Sequence, residues 1–118
     1  MTDTDRQRIE RYRPRLERLL EELLALRDAS AQGRAAVPLD QQSVGRLSRM
    51  DAMQAQQMAL AADRQRQAQI SRIRRALSQM DHGEFGYCLE CGNEIPDGRL
   101  NADPAAHLCV SCAKAASG

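Results

Sequence analysis

Two long stretches with helical apolar spacing, a break marked by Gly and Pro between them, and a doubled C-x-x-C motif define the expected fold class. They predict a mainly α protein: a long antiparallel helical hairpin (coiled coil) followed by a small four-cysteine lobe. The expected domains are residues 1–82 for the hairpin, with helices over about 5–32 and 41–80 and a tip over about 33–44, and residues 83–118 for the lobe with a short C-terminal tail.

The first helix rests on Ile9, Tyr12, Leu16, Leu19, Leu20, Leu23 and Leu26, which recur at three- and four-residue steps. Arg6, Arg8, Glu10, Arg11, Arg13, Arg15, Glu17, Arg18, Glu21 and Glu22 fill the gaps as a solvated face of mixed sign. Pro14 either sits in the first turn or, if the helix begins earlier, brings a kink. The break spans Ser30 to Pro38, where Gly33 suits a helix C-cap and Pro38 disfavours helix at Val37. Asp40 stands at an N-cap position.

From Gln41 to about Met80 only Gly45 weakens a second helix, a rod of roughly 60 Å at the α-helical rise. Its inward face is expected to run from Val44 and Leu47 through Ala52, Ala55, Ala59 and Ala62 to Ile70, Ile73 and Leu77. The alanines would lie close against the leucines of the first helix. A turn centred near residue 36 would set residue 16 across from about residue 56. The end of the second helix would then overrun the first, and Ile70, Ile73, Leu77 and Met80 would need cover from Phe85, Tyr87, Ile95 and Leu108 of the lobe.

The four cysteines, Cys88, Cys91, Cys109 and Cys112, form two C-x-x-C pairs with 17 residues between them. Zn²⁺ takes a closed tetrahedron of thiolates, two from each knuckle, and such a site leaves no open position for chemistry. One structural zinc is therefore expected. Iron accepts the same four thiolates, and spacing does not separate the two metals. Gly92, directly after Cys91, can supply the positive φ that turns backbone amides towards sulfur. The segment 85–112 is too short for a core of its own, so metal binding supplies stability. Pro96-Asp97-Gly98 and Ala102-Asp103-Pro104 read as turns, the residues after Cys112 as a fraying tail, and His82 and His107 as surface residues.

At 118 residues the chain has 17 basic and 16 acidic side chains, and aromatics only at Tyr12, Phe85 and Tyr87. Four thiolates and one Zn²⁺ together add two negative charges, taking the formal total of +1 to −1. That balance argues against independent binding of duplex DNA through phosphates. No apolar run reaches membrane-spanning length, and the N-terminus is polar, so a cytoplasmic protein with no membrane partner is expected. Neither a nucleophile–base pair nor an open metal position is visible, so an enzyme is not expected.

Phe85-Gly86-Tyr87-Cys88-Leu89-Glu90-Cys91-Gly92-Asn93-Glu94-Ile95, Arg99-Leu100-Asn101-Ala102 with Pro104, and Leu108-Cys109-Val110-Ser111-Cys112 resemble the DksA/TraR zinc-finger family. The resemblance implies a regulator of transcription that binds bacterial RNA polymerase, inserts its hairpin in the secondary channel and modulates initiation; a monomer is expected. It also implies acidic tip residues in a D-x-x-D-x-A pattern. Here the nearest string runs from Asp40 to Gly45 with Ser43 at the second acid, whereas an ungapped count back from the finger places the pattern on Gly45, Ser48 and Met50 with neither acid kept; Asp51 lies nearby, and Asp40, Ser43 and Asp51 are the candidate tip residues. Family members that respond to ppGpp present basic residues near the junction of hairpin and finger. Arg72 matches one of them, whereas Asp103 and Ala113 occupy the others, and Lys114 is adjacent. A site so depleted would hold phosphates poorly. Alternative readings of the same residues are a zinc-ribbon interaction module, or a thiol/zinc redox sensor that acts away from the polymerase channel.

Overall fold

The computed structural model describes residues 2–36 and 46–117. They form four helices: α1 (Asp3–Ala36), α2 (Arg46–Asp81), α3 (Asp97–Ala102) and α4 (Val110–Ser117). The described residues contain no extended strand, only an isolated antiparallel bridge between Tyr87 and Glu94. Expected tip residues 37–44 lie outside the described residues, and with them Asp40, Ser43 and Val44.

A capping box starts α1. The Thr2 hydroxyl accepts from the Asp5 amide at 3.1 Å, and the Asp5 carboxylate accepts from the Thr2 amide at 3.1 Å. Asp3 and Asp5 also place negative charge in the first turn, where the helix dipole favours it. Pro14 thus lies inside the helix, well past its start, and its missing N–H leaves the Glu10 carbonyl without the usual partner. Gly33 is likewise helical rather than a cap, because α1 continues to Ala36.

The chain groups into two compact units, residues 1–21 with 71–118, and residues 22–70. In the first, α1 and α2 share a core with the finger. Tyr12, Leu16, Ile73, Met80, Phe85, Ile95 and Leu100 are all buried, and the Tyr12 and Phe85 rings meet tilted at 6.1 Å. The finger is therefore packed on these helix ends, as the shortage of core in residues 85–112 requires. The residues after Cys112 are not a loose tail but α4. Asp97–Ala102, expected as a turn at its start, is α3.

The register differs from the expected one. Asp81, the last residue of α2, pairs with Arg13 at 2.6 Å, so the end of α2 does not overrun α1. Ile73 and Met80 are buried in the core that α1 and α2 share with the finger.

In the second unit, the Ser30 hydroxyl donates to Asp63 at 3.3 Å, and Asp63 also pairs with Arg66 at 2.9 Å. Counted from Ser30, α1 ends six residues on at Ala36, level with a residue six before Asp63, so the turns of α2 ahead of that point run past it. One expectation is reversed: Ala52, Ala55, Ala59 and Ala62 are exposed, not packed against leucines; Ala52 and Ala55 belong to the turns that run past α1, and Ala59 and Ala62, level with it, face solvent. Every residue from Ser48 to Ala59 is exposed. Leu26, expected inside, is also exposed, whereas Leu23, Leu24, Leu60 and Ala61 are half-buried and Ile70 is buried.

Candidate functional site

The four cysteine sulfurs lie within 4.8 Å of one another. Sγ of Cys91 and Cys109 are 3.8 Å apart, the edge expected, at about 3.8 Å, of a tetrahedron with Zn–S bonds of about 2.3 Å. Disulfides would require sulfurs at about 2.05 Å. The set is closed, all thiolate and without a free position, which fits a structural ion.

Local geometry explains the convergence. Gly92 adopts φ +75°, and its amide donates to the Cys88 carbonyl at 2.9 Å, closing the first knuckle. The Cys88 amide donates to the Asn93 carbonyl at 2.8 Å. In the second knuckle Cys112 falls in the first turn of α4, where its amide points at Cys109 Sγ at 3.5 Å. The Leu89 amide donates to the His107 carbonyl at 2.9 Å and ties the knuckles together. Arg99 of α3 adds a bond from Nε to the Leu108 carbonyl at 2.6 Å.

The thiols are electrostatically unequal. Backbone amides of Cys91 and Cys109 hold Cys88 down at about 6, whereas hydrogen bonding to Cys109 and Cys88 pushes Cys112 up to about 12.

Beside the metal centre, the finger grips α1 through a set of polar contacts. The Tyr87 hydroxyl donates to Asp5 at 2.9 Å. The Tyr12 hydroxyl donates to the Asn101 side chain at 2.7 Å, and Arg15 donates to the Asn101 carbonyl at 2.7 Å. Arg8 is buried among Asp5, Glu94 and Asp97 at 3.8–3.9 Å and packs over the Tyr87 ring. Gly86, at φ +95°, leaves room for it: a Cβ there would come within 2.6 Å of the Arg8 side chain. Asp5 is held below the usual carboxylate range by the Thr2 amide and then the Tyr87 hydroxyl, and Tyr87 is raised in return. Arg8 was expected on the solvated face and Asp5 was not singled out. Thr2 and Asp5 stand at capping-box spacing, a signal that could have marked the helix start; apart from Asp5, the residues around Arg8 come from the finger, far along the chain.

Elsewhere, Asp51 is exposed near the start of α2. Arg72 is ion-paired with Asp103. His82 is exposed, with Nδ1 2.8 Å from the Ser78 carbonyl, while His107 is half-buried and lowered by burial and then by Arg75 and Arg72. No helix among the described residues is long and apolar enough to cross a membrane.

Fold and site together define a mainly helical protein carrying a four-cysteine zinc finger. Residues 83–117 match the prokaryotic dksA/traR C4-type zinc finger, so the family resemblance holds in the finger and the metal is one structural zinc. Over 50 residues, 42% of this chain, it is 44% identical to the RNA polymerase-binding transcription factor DksA of Escherichia coli K12 and of Salmonella typhimurium. The match spans about a third of those relatives, 32% of their length. The structure of transcription factor DksA2 from Pseudomonas aeruginosa has the same fold, with a TM-score of 0.76 at 22% identity, covering 94% of this chain and 84% of that one.

Proposed function

We propose that this protein is a cytoplasmic, bacterial, monomeric transcription regulator that binds RNA polymerase and modulates initiation, with the hairpin of residues 1–82 entering the secondary channel. The finger of residues 83–118 is the packing base, its zinc held by Cys88, Cys91, Cys109 and Cys112. The observation that carries the reading is the finger, together with a 50-residue stretch of the chain that is 44% identical to relatives named for binding RNA polymerase. The near-balanced charge supports a protein partner over free DNA.

Acidic charge at the tip would act at the inner end of the channel. Asp40 and Ser43 of the proposed tip lie outside the described residues, and Asp51 is solvent-facing on α2. A ppGpp response is not part of this reading: Arg72 is already engaged by Asp103. Lys114 on α4 is the basic residue nearest Ala113 in sequence.

The test is a pull-down of the full chain with core RNA polymerase alongside duplex DNA at physiological salt. Retention by polymerase alone is expected; salt-sensitive retention by DNA alone overturns it. Asp40→Asn then examines the tip, since Asn caps a helix about as well as Asp. Binding is expected to persist while the effect on initiation weakens.

A further inference from the structure

The chain has five methionines, and the four described ones divide sharply. Met80 is 2% exposed in the finger-bearing unit, while Met50, Met53 and Met58 are 62%, 65% and 67% exposed on α2. Met50 and Met53 are three apart and so are neighbours on the helix surface. At about 100° per residue, Met58 falls roughly 80° from Met50 on the other side, so the three share about 140° of the circumference. Gln54 and Gln57 project between them, and Arg49 and Asp51 fall at the borders of the sector. An uncharged, thioether-rich face is therefore held in water.

We propose that Met50, Met53 and Met58 form a site of reversible oxidation by hydroperoxides, in which an apolar helix face becomes polar while the zinc centre stays intact. The thioether sulfur attacks the outer oxygen of the hydroperoxide, the O–O bond breaks and an S–O bond forms. The peroxide proton leaves with the departing alkoxide as an alcohol, or as water when the oxidant is hydrogen peroxide. Sulfur loses two electrons and the peroxide gains them. Sulfoxide reductases reverse the change, taking two electrons from a thiol pair that becomes a disulfide and releasing the oxygen as water. A methionine sulfoxide is polar where the thioether was apolar, so contacts made by this face weaken. Resting on the proposed function, this consequence is a lower affinity for RNA polymerase.

The experiment treats the full-length zinc-loaded protein with tert-butyl hydroperoxide and follows each methionine by peptide mass spectrometry, with zinc content measured in parallel. Met50, Met53 and Met58 should gain one oxygen about tenfold faster than Met80, before zinc is released, and sulfoxide reductases should restore them. Equal rates at Met80, or zinc loss before methionine oxidation, would overturn the site. Binding to core polymerase should fall severalfold in the oxidised protein and stay unchanged in peroxide-treated Met50→Leu/Met53→Leu/Met58→Leu. Equal loss in that variant, or no loss in the wild type, overturns the consequence for binding. If the untreated protein does not bind polymerase, the proposed function fails, and mass spectrometry still decides the oxidation site.

Discussion

The two compact units are made from the same pair of helices yet hold together differently. In residues 1–21 with 71–118, aromatic and aliphatic side chains are buried and hydroxyls, guanidinium groups and carboxylates link elements more than 80 residues apart in sequence. In residues 22–70, Ile70 is the one buried residue among those whose side chains are described, and three methionines and Leu26 face water. Amphipathic pattern alone thus half-buries a helix pair; a third element is what completes a core here. The finger supplies that element, and zinc supplies the finger.

The largest effect expected from that contrast is at the metal. Cys91→Ser, or chelation, should remove zinc, whose binding in peptide fingers is worth about 10–16 kcal/mol. Amide exchange protection should then be lost throughout α3, α4 and the first turns of α1, with far smaller change over residues 22–70. Uniform loss would erase the distinction between the units. Next, Leu16→Ala should cost about 2–5 kcal/mol in denaturant unfolding because Leu16 is fully buried. Leu26→Ala, at an exposed position, should stay within about 0.5 kcal/mol.

Glycine substitutions sharpen the picture within the finger. Both Gly86 and Gly92 have positive φ, so alanine at either costs about 1–2 kcal/mol of backbone strain. Gly92→Ala has nothing within 4 Å and should stop there, whereas Gly86→Ala also displaces buried Arg8 and should cost more. The smallest effect is electrostatic. Asp5 has a lowered native pKa, so its contribution is present above the unfolded carboxylate value of about 3.9 and is lost as pH falls through the native one. Asp5→Asn should therefore lower Tm slightly at pH 7, and the difference should shrink in acid.

Much of this was legible beforehand, for identifiable reasons. The C-x-x-C pairs encode metal geometry locally, and Tyr12, Leu16, Ile73 and Met80 carry a helical period that burial confirms. The register was not legible, because alanines at Ala52, Ala55, Ala59 and Ala62 fit either a close helix contact or a solvated surface, and the pairings that fix it, Arg13 with Asp81 and Ser30 with Asp63, join residues far apart in sequence. Arg8 was misplaced because a cation among alternating charges reads as solvated. What buries it is a glycine and three carboxylates, two of which, Glu94 and Asp97, are brought in by the finger.

The Tyr12–Asn101 bond joins positions 89 apart, and Tyr87–Asp5 joins positions 82 apart. Residues 22–70 are thus a loop, in the topological sense, that must be gathered before the core around Tyr12 can close. The entropy of that closure is spent before the contacts that repay it exist, and helical proteins owe their usual speed to avoiding such a debt. A mainly helical protein of this kind should therefore fold at the pace of mixed α/β domains, its rate governed by how readily the ends of α1 and α2 find one another.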